Sequence, residues 1–228
     1  MAFDSAYSSG SRRGFVARLG ALIGGTTLGA RALSAQPRPT GPLVHPEDAW
    51  LDTLPRGHRM VFDAFSLQGA VNAGRYGGNW FRSNQSGYGL APSQLGAVIV
   101  LRSAATIFAF DDAAWATYPV LGRQTKPDST TGQPYTFNPF LRGPVGDAPT
   151  QGVQWQELAA MGVHFAVCNG TTTALAGALA GPGASAEAIE TQRKALASHL
   201  IPNAHLMATG IVALGRAQEK GYTFGCGG

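Results

Sequence analysis

The chain is short of the groups that would make several functions easy to read. Its 228 residues include only two cysteines, Cys168 and Cys226, 58 positions apart. That count excludes a disulfide framework and a cysteine zinc site, and leaves either one bond or two separate thiols. Charged residues make up 13% of the chain, too few for a disordered acidic or basic tail. The net charge of +4 comes from scattered arginines with no basic stripe interleaved with aromatics, so no nucleic-acid partner is expected. Long hydrophobic runs are missing as well. Leu19–Ala30 is uncharged and Gly-rich, but a membrane-spanning helix needs about 20 apolar residues. His199 and His205 lack metal-ligand spacing and no carboxylate pair accompanies them, so no metal or cofactor is expected. No glycine-rich phosphate loop follows the first predicted strand, which argues against a nucleotide or flavin.

What is present is a hydrophobic content of 44% with 31 glycines and 14 prolines, the mix of an ordered α/β domain with long loops. Residues 1–36 read as a targeting segment. Ser11-Arg12-Arg13-Gly14-Phe15-Val16 is similar to a twin-arginine export signature, an apolar stretch follows, and Ala32-Leu33-Ser34-Ala35 supplies small residues for cleavage. This predicts a bacterial, periplasmic protein, tethered to a membrane only if the segment stays uncleaved. Residues 37–57 read as a Pro-rich linker, with Trp50 and Leu54 able to pack on the domain.

The domain is expected over 58–228. His58–Ser66 reads as a strand, followed by a helix over about 71–81. Leu95–Leu101 is a continuous apolar run of the kind found in a parallel strand buried on both faces. A helix is expected over 104–118 with Asp111-Asp112 as a restart cap. Six prolines between 119 and 150 predict a long ordered loop whose Tyr135, Phe137 and Phe140 pack against something. A helix over 155–161, a strand over 163–167, helices over 171–179 and 186–199, a strand over 204–208, a helix from 209 to 220 and an edge strand at 222–224 complete the chain, with Gly225-Cys226-Gly227-Gly228 as a flexible tail. The alternation predicts a three-layer αβα fold, flavodoxin-like, with a mostly parallel sheet of about five strands.

Cys168 sits where the strand Val163–Val167 meets the Asn169-Gly170-Thr171-Thr172 run that suits a helix start. Unpaired N–H groups and the positive end of a helix dipole at such a junction favour thiolate over thiol. An inert buried cysteine is the competing reading. In a parallel sheet, ligands bind beyond the carboxyl ends of the strands, where Ser66, Gln68, Arg102, Ser103, Cys168, Asn169 and Thr209 fall. Cys168 is thus the candidate catalytic residue, and Arg102, Ser103, Asn169, Thr171 and Thr209 are candidate substrate-binding residues, with plain capping as the alternative for Asn169, Thr171 and Thr209 and a surface ion pair for Arg102. His164 shares a strand face with Cys168, but at about 3.3 Å per residue it lies too far away for a catalytic dyad. It is expected to be a core or interface histidine.

From His58 to Phe224 the chain resembles the DsrE/DsrF-like family of sulfur-relay proteins. The resemblance rests on His58-Arg59-Met60-Val61-Phe62-Asp63, Val98-Ile99-Val100-Leu101, Gly162–Asn169 and Leu200–Gly210, with Ala213–Gly221 closing the domain. It implies an αβα fold, a homo-oligomer or a partner protein, and sulfane sulfur carried as a persulfide on Cys168, taken from a small sulfur anion or thiol partner. Arg102-Ser103 stand where many exported relatives have His-Gly, and the export signal removes the usual cytoplasmic partners. A non-catalytic exported binding or assembly module, such as an accessory subunit of a membrane complex, is the alternative expectation.

Overall fold

The computed structural model describes residues 45–142 and 150–228. The targeting segment 1–36, the first part of the linker and residues 143–149 of the Pro-rich loop lie outside the described residues. Five strands, β1 (His58–Ala64), β2 (Leu95–Leu101), β3 (Val163–Cys168), β4 (Ala204–Met207) and β5 (Thr223–Cys226), form one sheet in the order β4-β3-β2-β1-β5. Every neighbouring pair is parallel. The protein therefore has the expected three-layer, flavodoxin-like α/β architecture, with a sheet that is wholly parallel.

Strand order sets the layers. The chain steps in one direction from β1 to β4, and right-handed crossovers put all the intervening helices on one face. These are α1 (Leu67–Tyr88), α2 (Asp112–Thr117), α3 (Pro119–Arg123), α4 (Trp155–Met161), α5 (Asn169–Ala180) and α6 (Ala186–Ala197). The step from β4 back to β5 runs the other way, so α7 (Gly210–Glu219) covers the opposite face. Two apolar clusters reflect this division. Phe62, Ile99, Leu101, Phe165 and Val167 pack under Val71, Phe81, Trp155, Leu175 and Ala176. Val61, Val98, Val100, Ala166 and Met207 pack under Ala213, Leu214 and Ala217 of α7 and under Leu51 and Leu54.

Leu51 and Leu54 belong to the 45–57 segment, which turns as a 3-10 helix over Pro46–Asp52 and lies on the α7 face. The Tyr222 hydroxyl donates to Leu51 O at 2.8 Å, and the buried Arg59 guanidinium donates to the carbonyls of Leu54, Pro55 and Lys220. Asp48 pairs with Arg216 of α7 and with Lys220 at its C-cap. The expected linker is thus partly a structural strap, anchored by carbonyls that accept from side chains of the sheet.

Local chemistry explains most element ends. Ser66 caps α1 by accepting from Gly69 N, so the helix starts before its predicted position and continues through its glycines to Gly89, whose φ of 67° closes it. The predicted 104–118 helix is instead a 3-10 segment over Ser103–Ala109 followed by α2. Phe110 breaks it by bridging to Leu200, and Asp111 restarts it by accepting from Ala114 N. The Pro-rich stretch opens with one helical turn, α3, because Pro119 occupies the first position, where its missing N–H costs nothing.

Beyond α3 the loop is held by Asn138, which is fully buried. Its amide donates to Phe108 O and Phe110 O at 2.9 and 2.8 Å, and its carbonyl accepts from Phe140 N at 3.0 Å. Phe140 stacks on Trp155 at 4.2 Å between ring centroids, while Tyr135 is also buried. The C-terminal stretch is not a flexible tail. Cys226 lies within β5, Gly227 N donates to Asp63 O, and Phe65 N donates to Gly228 O over the start of α1. Edge pairing to β1 supplies the backbone partners that a glycine-rich segment needs to stay ordered.

Candidate functional site

β3 and β4 are neighbours, yet their exits diverge. The chain leaves β3 for α5 on one face and leaves β4 for α7 on the other. This divergence opens a crevice at the carboxyl ends of the two strands, the usual place for a ligand in such a sheet. Cys168 is the last residue of β3 and the N-cap of α5. Its register partner on β4 is Met207.

Side chains alternate along a strand, so His164, Ala166 and Cys168 face α7. Cys168 is 7% exposed, but its sulfur is not in apolar packing. The Thr171 backbone N–H and the Thr171 hydroxyl both reach Sγ at 3.4 Å. Burial pushes the thiol pKa up, but hydrogen bonds from the Thr171 hydroxyl and from the backbone N–H groups of Thr171, Gly210 and Gly170 outweigh it and hold it below its ordinary value. The first turns of two helices, α5 and α7, thus aim donors at one sulfur atom.

The same face carries a charged pair beside the thiol. Arg102, just past β2, donates to both carboxylate oxygens of Asp63 at 2.8 and 2.7 Å. Asp63 is 4% exposed, so this pairing largely neutralises a buried carboxylate. Hydrogen bonding to Asp63 raises the Arg102 pKa, and the charges of Cys168 and Cys226 act in the same direction. Arg102 also lies over the Phe65 ring at 4.9 Å. Both cysteines are free thiols, Cys168 buried and Cys226 exposed. They sit three strands apart in the sheet order, about 14 Å at ~4.8 Å per strand spacing, well beyond the reach of a disulfide.

The remaining predicted site residues divide clearly. Thr171 touches the thiol, as the functional reading requires. Thr209 caps α7 by accepting from Val212 N, and its methyl lies against Gly170, so its role here is structural. Asn169 points its Oδ1 at Arg193 Nη1, 3.3 Å away, rather than at the sulfur. Ser103 is exposed, with a φ of 51°, and its hydroxyl makes no hydrogen bond to Cys168. Arg102 is in the ion pair that its alternative reading named, yet close enough to act on the thiol's charge.

Four contributors were not legible as site residues: Asp63, Gly210, Arg193 and Glu190. Arg193 and Glu190 lie on α6, where their spacing of three residues reads as an ordinary surface pair. The fold brings them to a cleft of about 450 Å³ at the ends of β3 and β4, lined also by Glu47, Asn169, Met207 and Ala208.

A second feature on the α7 face lies nearer the start of the strands. His164 Nδ1 and His205 Nε2 are 3.0 Å apart, and Trp50 of the strap stacks on His205 with centroids 4.0 Å apart and planes 7° from parallel. Burial lowers the His164 pKa, and burial together with the His164 charge lowers that of His205 to about 4. His164 is a half-buried histidine whose partner comes from the neighbouring strand.

No protein-family model matches the chain, and no curated protein or solved structure matches it either. The site must therefore be interpreted from its own geometry. Among the described residues no group of three or more His, Cys, Asp or Glu side chains could hold a metal ion, and no helix is long and apolar enough to cross a membrane.

Proposed function

We propose that the protein carries sulfane sulfur on Cys168 in the manner of the DsrE/DsrF-like proteins it resembles, and that it does so after export to the periplasm. The observation that carries this reading is the convergence of N–H donors from α5 and α7, with the Thr171 hydroxyl, on a thiol whose pKa they depress. The thiolate is the form that attacks sulfur, so donors that lower the pKa favour the reacting form. In the loading step the Cys168 thiolate attacks one sulfur of an inorganic polysulfide. The new S–S bond forms as the donor's S–S bond breaks, and the shortened polysulfide leaves with the electron pair. The donors then stabilise the terminal charge of the persulfide as they did the thiolate. The Arg102 guanidinium, held by Asp63, interacts favourably with the charge of the thiolate.

Intact-mass analysis after incubation with inorganic polysulfide tests the reading. A gain of one sulfur atom, mapped by proteolysis to Cys168 and absent from Cys168→Ser, is the expected result. An unchanged mass, or a gain confined to the exposed Cys226, overturns it.

A second reading has its own support. Cys168 is nearly buried, and Phe65, Ile211 and Val212 are 40%, 66% and 43% exposed around the same rim. A binding module would present such an apolar rim to a partner protein. Under that reading Cys168→Ser retains partner capture and assembly, whereas a carrier loses sulfur loading.

A further inference from the structure

The cleft at the carboxyl ends of β3 and β4 carries two carboxylates and one guanidinium. Arg193 is already committed. It donates through Nε and Nη2 to both oxygens of Glu190 at 2.7 Å, and through Nη1 to Asn169. Its side chain is 18% exposed, so it is fixed in place with two N–H positions still unused. Glu47, on the strap, lines the same cleft, is exposed, and makes no ion pair among the described residues. Two carboxylates therefore face a single guanidinium. A ligand that carries an ammonium group as well as a carboxylate complements this lining better than a simple anion does.

We infer that this cleft binds a zwitterionic amino-acid thiol, such as cysteine or the cysteine end of a short peptide, as the partner that exchanges sulfur with Cys168. The thiol identity rests on the persulfide reading of Cys168. Glu47 receives the ammonium group, and the unused donors of Arg193 receive the carboxylate. Met207 and Ala208 also line the cleft. Met207, which lines the cleft, is the register partner of Cys168, and Asn169, also in the lining, follows Cys168 in the chain, so the cleft begins one strand spacing, about 4.8 Å, from the cysteine backbone. Its volume of about 450 Å³ suits a ligand of that size with room for a flanking residue. In the exchange the bound thiolate attacks the outer sulfur of the Cys168 persulfide. A new S–S bond forms on the amino acid, the S–S bond to Cys168 breaks, and Cys168 leaves as thiolate. Sulfur moves at constant oxidation state and no further redox partner is needed.

Binding is measured on the full chain by NMR titration with S-methyl-L-cysteine, which cannot react. Saturable shifts at Asn169, Arg193 and Ala208 are expected. Binding should be about tenfold weaker for 3-(methylthio)propanoate, which lacks the ammonium group, and for Glu47→Gln, whose exposed position leaves folding intact. No saturable binding, or equal affinity without the ammonium group, overturns the inference. If binding holds but polysulfide never loads Cys168, the sulfur-carrier reading fails and takes the thiol identity with it. If loading succeeds but L-cysteine and 3-mercaptopropionate show equal KM as acceptors, only the cleft assignment fails.

Discussion

Arg102 lies directly across Gly210. A Cβ placed on Gly210 would overlap the Arg102 Cβ and stand 2.9 and 3.1 Å from its Cδ and Cγ. The absent side chain at the start of α7 lets the arginine stem pass between the helix and the thiol's surroundings. One contact thus links the ion pair on β1 and β2 with the N–H that helps hold the Cys168 sulfur.

Gly210→Ala is therefore expected to disturb both at once. Overpacking of this kind costs about 1–3 kcal/mol. The displaced helix start should also withdraw a donor from the sulfur, raising the Cys168 pKa. Denaturant unfolding checks the first effect and the pH dependence of iodoacetamide alkylation checks the second. Gly170→Ala is the control, since a Cβ there meets Sγ at 3.7 Å and the Thr209 methyl at 3.5 Å, ordinary contacts.

Thr171→Val removes the hydroxyl that reaches Sγ while keeping the backbone N–H. The thiolate should lose one of its donors, so the midpoint of the alkylation profile moves to higher pH. Thr171→Ser should restore it. A profile identical in all three proteins would show that the hydroxyl does not act on the sulfur.

The His164–His205 pair predicts an acid-sensitive stability. The folded-state pKa of His205, about 4, lies below the ordinary histidine value of 6.5, so the unfolded chain binds more protons between these limits. Stability from this source is fully present above pH ~6.5 and is lost as the pH falls toward 4. Loss on the order of 1–2 kcal/mol is expected after allowance for solvent screening of a half-buried ring. Melting temperatures across pH 7 to 4 should fall less steeply in His205→Phe, which keeps a ring for Trp50 to stack on but cannot titrate. Equal slopes would remove the pair from the account.

Asn138→Ala should loosen the Pro-rich loop. It strands the carbonyls of Phe108 and Phe110 and the N–H of Phe140 inside the core. Each buried unsatisfied group costs about 1–3 kcal/mol, although Trp155 Nε1 also donates to Phe108 O and softens the loss there. Limited proteolysis within 124–142 and a drop in unfolding free energy of about 3 kcal/mol are the expected outcomes.

Much of the framework was readable because it depends on neighbours along the chain. The apolar run Leu95–Leu101 is the central-region strand β2 with the predicted limits, since burial on both faces demands apolar side chains at every position. Cys168 sits at a strand–helix junction because Asn169-Gly170-Thr171 cannot extend the strand and readily begins a helix. Asp111 was visible as a cap for the same local reason.

What only the tertiary structure decided is which distant groups meet. Parallel register set His205 beside His164 and Met207 beside Cys168, and no spacing in the chain encodes either pairing. The reversal from β4 to β5 placed α7 on the opposite face and turned the Gly210 N–H toward the sulfur. The register of β1 on β2 set Asp63 against Arg102, so that a run which reads in the sequence as an ordinary first strand contributes a buried charge. Local preferences act over a few residues and are written in them. The chemistry at Cys168 depends on pairings across strands, and those exist only once the sheet has closed.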